Sequence, residues 1–276
     1  MTIVEVLKLS ADYLRKHDAD SPRLDAELLL AHALGIGRLD LYLKFDRVLS
    51  EAELTTYRGL VARRAKGEPV AYLVGHKEFM GLEFEVTPAV LVPNPDTEVL
   101  VQRAVAIARE SEGTVRMADV GTGTGCIAIA VVHYAPQAEM WASDISREAL
   151  DVAARNVKRH GVGDRVHLEY GDLLEPLPGE FDVICANLPY LASDARLSRE
   201  VVAQPSGALY ADDGGAALVT RLLDQAPSRL RPGGRVLAEL DPAILSVAGE
   251  SAGRNFGQHR VHRDLGGHER VIEAWS

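Results

Sequence analysis

Apolar residues recur at helical spacing over the first 66 positions; thereafter stretches of strand pattern alternate with helical ones. Ile3, Val6, Leu7 and Leu14 share one helical face, opened by Thr2 and Glu5 as a capping box. Ser21 followed by Pro22 is the sequence of an N-cap and a first-turn proline. The helix it opens carries Leu28, Leu29, Leu30 and Leu34 and stops at Gly35. A short helical piece is expected over Leu39–Lys44. Ser50 and Glu53 make a second capping box, for a helix bearing Leu54, Tyr57, Leu60 and Val61 that ends at Gly67. Four short amphipathic helices predict a small bundle.

The texture then changes. Residues 78–86, EFMGLEFEV, place β-formers on both sides of Gly81 and predict a hairpin. Residues 87–95, TPAVLVPNP, hold three prolines and read as an extended connector. Strands are expected at Val115–Val120, Glu139–Ser143, Val166–Tyr170, Val183–Asn187 and Arg235–Glu239, with helical patterns between them. That alternation implies right-handed βαβ units and a mostly parallel sheet. The last segment departs from it: Gln258–His262, a turn at Asp264–Gly267, then Glu269–Trp275 predict an antiparallel hairpin on the sheet edge. The expected organisation is a helical domain over 1–77, a hairpin and linker over 78–95, and an α/β domain over 96–276.

Composition narrows the function classes. The 276 residues are 47% hydrophobic and 25% charged, ordinary values for a globular protein. With 30 Lys+Arg against 40 Asp+Glu the net charge is −10, which argues against binding nucleic acid by blanket phosphate neutralisation. Two cysteines 59 positions apart, Cys126 and Cys185, exclude a disulfide framework and a cysteine-built zinc site and fit a reducing cytosol. The start of the chain lacks the basic and apolar regions of a signal peptide, and no run of 18 apolar residues spans a membrane. A cytoplasmic protein is expected.

Candidate chemistry begins at Asp119-Val-Gly-Thr-Gly-Thr-Gly125, directly after the first strand of the α/β region and before an apolar helix. Gly121, Gly123 and Gly125, with Thr122 and Thr124 between them, let the backbone turn sharply and approach a ligand. The spacing is G-x-G-x-G, shorter than the dinucleotide fingerprint. Asp144 closes the second strand of this region, 19 residues after Gly125, where an acid accepts hydrogen bonds from both hydroxyls of a ribose. Asp172 ends the third strand, placed to meet an adenine amino group, with Leu173 covering the ring. The plainer alternative is that Asp144 and Asp172 cap helices.

The fourth strand runs straight into Asn187-Leu188-Pro189-Tyr190 at the expected ligand crevice of an open α/β sheet. Pro189 stiffens the backbone, so the Asn187 amide oxygen and the next carbonyl present two acceptors to a planar –NH2 group. Tyr190 offers a flat face for stacking. The alternative is a stiff loop whose Asn caps the turn.

GTGTG, the strand-end acid and NLPY together resemble the signature of class I S-adenosylmethionine-dependent methyltransferases acting on planar nitrogens. Residues 67–101, GEPVAYLVG through PNPDTEVLV, and the terminal DLGGHERVIEAW are similar to the protein-(glutamine-N5) methyltransferases that modify peptide chain release factors. That resemblance covers essentially the whole chain and implies an N-terminal helical substrate-recognition domain before a Rossmann-like methyltransferase domain. It implies S-adenosylmethionine as cofactor, held by Asp119, the GTGTG loop, Asp144, Asp172, Leu173 and Asn187. It implies the glutamine of a GGQ loop as substrate, held by Asn187, Leu188, Pro189 and Tyr190, with Asn187, Pro189 and Tyr190 as the catalytic set.

Four departures stand out: Leu188 for a proline, Asn94 for an arginine and Asp96 for a glutamate in PNPDTE, Gln204-Pro205 for Glu-Pro, and Glu239-Leu240-Asp241 for EIG. Any residue supplies the carbonyl required at 188. Loss of a cation at 94 bears on the substrate. Two other readings are an adenine N6-methyltransferase of nucleic acid, whose target presents the same –NH2, and a non-catalytic cofactor-binding or assembly protein. Cys126 and Cys185 are expected in the core. His259, His262 and His268 span a strand and its turn rather than one helical face, so no metal is expected. Arg58, Arg63, Arg64 and Lys66 are expected on a solvated helix face, and Asp212–Gly215 as a turn before a helix.

Overall fold

A computed structural model describes every residue except Ser193, Arg196 and Leu265. In chain order the helices and strands of the N-terminal part are α1 (Ile3–Arg15), α2 (Pro22–Leu34), α3 (Arg38–Leu43), α4 (Glu51–Arg64), α5 (Val70–Val74), β1 (His76–Phe79) and β2 (Leu82–Glu85). Next come α6 (Glu98–Glu110), β3 (Val115–Val120), α7 (Cys126–Tyr134), β4 (Ala138–Asp144), α8 (Arg147–His160), β5 (Val166–Tyr170) and β6 (Phe181–Asn187). The chain closes with α9 (Arg199–Val202), α10 (Ala217–Gln225), β7 (Leu230–Glu239), α11 (Leu245–Phe256), β8 (Gln258–Arg263) and β9 (Glu269–Trp275). Two compact units result: 1–76 with 196–204, and 77–195 with 205–276. None of the described helices is long and apolar enough to cross a membrane.

The first unit is the expected bundle, with Ile3, Leu14, Leu29, Leu30, Leu41 and Tyr57 at its centre. Both capping boxes form: Thr2 accepts from the Glu5 N–H and Ser50 from the Glu53 N–H, while each glutamate reaches back to the cap backbone. Ser21 occupies the N-cap position of α2, but its side chain accepts no capping bond, and Pro22 alone marks the start. Helix α5 adds a fifth member that the sequence pattern does not show, because five residues are too few for a periodicity. The basic run is also not wholly solvated. Arg64 is buried between the carboxylates of Asp25 at 2.8 Å and Glu200 at 2.6 Å. Its guanidinium offsets part of the desolvation, which still leaves the Asp25 carboxyl raised.

The second unit is a seven-stranded sheet in the order β5-β4-β3-β6-β7-β9-β8. The pairs β3–β4, β3–β6, β4–β5 and β6–β7 are parallel, and β9 runs antiparallel to both β7 and β8. This is the predicted sheet with its C-terminal hairpin; of the turn at 264–267, Leu265 lies outside the described residues. Strand alternation divides the core. Met117, Val183, Cys185 and Leu237 face the layer of α6, α7 and α8, whereas Ala118, Ile184, Ala186 and Val236 face that of α10 and α11. Both cysteines are buried, Cys126 in α7 and Cys185 in β6. Strand β7 begins at Leu230, earlier than its apolar pattern indicates. Phe181 and Val183 of β6 pair with Leu230 and Arg235, and the irregularity between them absorbs Pro232, Gly233 and Gly234.

The hairpin β1–β2 turns through Met80 and Gly81, both at positive φ (51° and 71°), the signature of a type I′ turn. Methionine is held there by its neighbours: the Met80 N–H donates to Glu98 at 3.1 Å and its carbonyl accepts from the Tyr134 hydroxyl at 2.5 Å. Glu273 of β9 is 1% exposed and accepts from Arg103, Arg235 and His262. Burial pushes its carboxyl up, but these three donors overturn that and leave it at about 2. A carboxyl held below its unfolded value of 4.5 stabilises the fold at higher pH and loses that contribution as the pH falls toward 2. The melting temperature should therefore fall steeply below pH 4.5. Glu273→Gln should melt lower at pH 7 and show a shallower acid limb; thermal melts of both proteins between pH 2.5 and 7 check this, and parallel acid limbs would contradict it.

Candidate methyl-transfer site

A cavity of about 400 Å³ opens at the C-terminal ends of β3, β4 and β6. The glycine loop, Asp144, Asp172, Leu173 and Asn187–Pro189 line it, together with Ala89–Asn94 from the connector and Pro205, Gly207 and Ala208. The parallel register explains the meeting. Strands β3 and β6 pair Val120 with Ala186, so the loop after one and the NLPY segment after the other leave the sheet side by side.

The loop is shaped by two acids. The Gly121 and Thr122 N–H groups donate to the Ser143 carbonyl at 2.9 and 3.0 Å. Asp119 Oδ2 accepts from the Thr122 hydroxyl at 2.6 Å and from the Ala128 N–H at 3.3 Å. Burial pushes the Asp119 carboxyl up to about 7 against those bonds, and its Oδ1 has no hydrogen-bond partner among the described residues. Asp144 takes one N–H on each oxygen, Gly123 on Oδ2 and Ser146 on Oδ1, both at 2.9 Å. It does not cap α8; Ser146 does, accepting from the Ala149 N–H. Burial raises the Asp144 carboxyl, opposed by those N–H groups.

These residues fit a nucleoside cofactor. Each Asp144 oxygen keeps a lone pair for a ribose hydroxyl. A side-chain carbon at Gly123 would meet nothing within 4 Å, so the loop backbone lies open to a ligand. Leu173 at φ 47° presents an apolar wall, its carbonyl held by the Ser143 hydroxyl at 2.7 Å. Asp172 stands on the wall but also pairs with Arg221 at 2.5 Å, so it is shared between the cavity and α10.

Asn187 ends β6 as the register partner of Glu239, which ends β7. Its Nδ2 donates to Thr97 Oγ1 at 3.0 Å. Leu188 is buried beneath Gly121, where a side-chain carbon would stand 2.9 Å from Leu188 Cδ2. Gly121 at φ 74° thus makes room for the residue that replaces the family proline. Tyr190 packs on the second core and donates from its hydroxyl to Glu239 Oε1 at 3.4 Å. Asn187, Leu188 and Pro189 meet at the cavity wall, whereas the Tyr190 hydroxyl is turned toward Glu239. The Asp212–Gly215 turn, expected to be a simple connection, supports this loop. A carbon added at Gly215 (φ 98°) would stand 2.0 Å from the Tyr190 carbonyl oxygen.

Two buried polar residues at the site were not among the sequence candidates. Thr97 and Glu239 are each 2% exposed. Burial pushes the Glu239 carboxyl up to about 7, with Asp96 adding to it while Thr97, Arg270 and Tyr190 pull the other way. Their signal was positional only: Thr97 closes PNPDT and Glu239 ends a strand beside Asn187. Asn94 accepts from the Asp96 N–H at 3.1 Å, and Asp96 pairs with Arg270 at 3.0 Å. Of the three histidines, His262 bonds Glu273 and His268 lies 3.4 Å from Asp264.

Comparison with known proteins identifies the family of the chain. The release factor glutamine methyltransferase of Rhodopirellula baltica is 40% identical over 281 residues, covering 98% of this chain and 95% of that protein. The chain belongs to the release factor glutamine methyltransferase family. The enzyme of that name from Geobacter sulfurreducens is 42% identical, over 98% of this chain and 95% of its own. Residues 5–75 match the family model described as the PrmC N-terminal domain, and residues 95–220 that of the methyltransferase small domain. A solved methyltransferase from Pyrococcus furiosus, 22% identical, superposes with a TM-score of 0.53 over 77% of this chain and 95% of its own, and shares the fold. The family resemblance drawn from GTGTG, NLPY and PNPDTE, and the class I fold that it implies, are thereby borne out.

Proposed function

We propose that this protein transfers a methyl group from S-adenosylmethionine to the side-chain amide nitrogen of a glutamine, in the GGQ loop of a peptide chain release factor. The observation that carries the reading is the commitment of Asn187 Nδ2 to Thr97, which leaves Asn187 Oδ1 as an acceptor at the cavity wall. When bound, S-adenosylmethionine supplies the sulfonium methyl. Asp144 would hold its ribose, the open Gly123 backbone its amino-acid end, and Leu173 and Asp172 its adenine, while Asp119, buried behind the wall, shapes the glycine loop through Thr122 and Ala128.

An amide nitrogen is a poor nucleophile because its lone pair is delocalised into the carbonyl. Asn187 Oδ1 and the Leu188 carbonyl present two acceptors to its two N–H donors and hold the nitrogen in line. Such positioning lowers barriers by several kcal/mol, up to ~7–11 in ideal cases. A strong base is not needed before transfer, since the nitrogen becomes acidic as it gains the methyl. Leu188 preserves the carbonyl, so its departure from proline leaves this geometry available.

The helical unit is assigned to substrate recognition; its exposed Leu39, Leu43, Phe45 and Val48 support that role. A cytoplasmic location follows from the substrate. The test incubates the protein with methyl-labelled S-adenosylmethionine and, in parallel, release factor, ribosomal protein and RNA. Label on the GGQ glutamine is expected; label confined to RNA would overturn the reading in favour of an adenine methyltransferase.

A further inference from the structure

Three elements converge behind Asn187. Asn187 and Glu239 are register partners at the C-terminal ends of β6 and β7. Their side chains point to the face covered by α6, as do those of Cys185 and Leu237 two residues earlier in each strand. Thr97, immediately before α6, reaches the same place, and its Oγ1 lies 3.0 Å from Asn187 Nδ2. Both Thr97 and Glu239 are 2% exposed, so water does not compete for their hydrogen bonds.

We infer that Thr97 and Glu239 are positioning residues that decide which end of the Asn187 amide faces the substrate. The inference rests on the proposed role of Asn187 in holding the glutamine –NH2. A side-chain amide can be turned to present either its oxygen or its –NH2, and only the oxygen serves a substrate that is itself a donor. A hydroxyl has one proton. An ionised carboxylate only accepts, and Glu239 Oε2, buried and without a hydrogen-bond partner among the described residues, is the acceptor toward which the Thr97 hydroxyl can turn its proton, leaving Thr97 Oγ1 to accept from Asn187 Nδ2. Asn187 Oδ1 is then directed to the cavity. With the hydroxyl so turned, the donors would run in one direction, from Asn187 through Thr97 to Glu239. The Tyr190 hydroxyl, also a donor to Glu239, reinforces that direction.

Protonation of Glu239 removes the constraint, because a carboxylic acid can donate to Thr97 and release the amide to turn. The groups facing Glu239 are Asp96 and Thr97 ahead of α6, Tyr190 after β6, Arg270 of β9 and Cys126 of α7. Burial and Asp96 raise the carboxyl, and Arg270 opposes them, leaving its titration near neutrality. Transfer at saturating cofactor should accordingly decline as the pH falls through about 7.

The test combines two readouts on the full-length protein. Thr97→Val keeps the shape and removes the hydroxyl; Thr97→Ser keeps the hydroxyl. The first readout is the Asn187 side-chain –NH2 signal in 15N NMR with S-adenosylmethionine bound, which requires no protein substrate. Slow exchange in the wild type and in Thr97→Ser, and fast exchange in Thr97→Val, are expected. The second is methyl transfer to release factor. Thr97→Val should lower kcat by about 10²-fold, the scale of a misplacement near 1 Å. KM for the cofactor should stay within about threefold, and Thr97→Ser should recover most of the activity. Glu239→Gln should abolish the pH dependence of kcat between 6 and 8.

An Asn187 signal unchanged in Thr97→Val, or equal losses in the Val and Ser variants tracking a fall in Tm, would overturn the inference. A signal that responds as expected in a protein that labels no release factor would instead overturn the proposed substrate and leave the positioning role standing.

Discussion

Replacing Asn187 with alanine is expected to lower kcat for methyl transfer by about 10²–10³-fold while leaving cofactor affinity within about threefold. The size follows from losing one preorganised polar contact at the reacting group, which typically costs ~3–4 kcal/mol of barrier lowering. The asymmetry follows from the sheet. The Gly123 N–H and Asp144 that shape the cofactor side belong to the β3 and β4 ends, and neither bonds Asn187. The fold should survive, because Thr97 keeps Glu239 as a neighbouring acceptor and the loss at Thr97 is one hydrogen bond, worth about 1 kcal/mol. Single-turnover transfer rates and cofactor titration on the same preparation check both halves. An unchanged rate would remove Asn187 from the transfer step; a parallel loss of cofactor binding would make it a cofactor ligand first.

The second large effect is expected at a residue that touches neither candidate ligand. In Gly215→Ala the new carbon would stand 2.0 Å from the Tyr190 carbonyl oxygen and 2.8 Å from its carbon, both backbone atoms that no rotamer change can move aside. The residue also sits at φ 98°, which costs an alanine about 1–2 kcal/mol. With overpacking of ~1–3 kcal/mol, the total is roughly 2–5 kcal/mol, or a fall in Tm of about 2–4 °C per kcal/mol. Relief of the clash must displace the segment after Asn187, so kcat should fall along with Tm. Gly214→Ala is the control. Its φ is 63°, but nothing lies within 4 Å of the added carbon, so only the conformational cost of about 1 kcal/mol remains. Equal melting temperatures for the two variants would show that the Tyr190 backbone is not supported at Gly215.

Much of the architecture was legible because it is written locally. Capping boxes at Thr2 and Ser50 act over three residues, and the central strands announce themselves as short apolar runs between helical patterns. Features that depend on distant partners were not. Arg64 reads as one more surface cation until the fold sets it between Asp25 and Glu200, which lie 39 and 136 positions away. Ser21 looks like a capping residue, yet its backbone at φ −128°, ψ 64° does not bring the hydroxyl to a helix N–H. The early start of β7 was hidden by Pro232, Gly233 and Gly234, which an irregularity in pairing accommodates.

The site divides along the same line. Sequence by itself determined the chemical inventory: a glycine loop with acids at two strand ends, an Asn-x-Pro-Tyr segment at another, and the alternation of strands and helices that makes the sheet mostly parallel. Those are properties of residue type and spacing, and the parallel topology follows from them. Tertiary structure alone decided what each group does with its hydrogen bonds. It tied Asp144 to Gly123 and Ser146 rather than to a helix cap, turned the Tyr190 hydroxyl to Glu239, and joined Asn187 to Thr97 across 90 residues. The physical reason is that a donor's direction depends on which acceptor stands within about 3 Å, and strand pairing, not the order of residues, sets that distance.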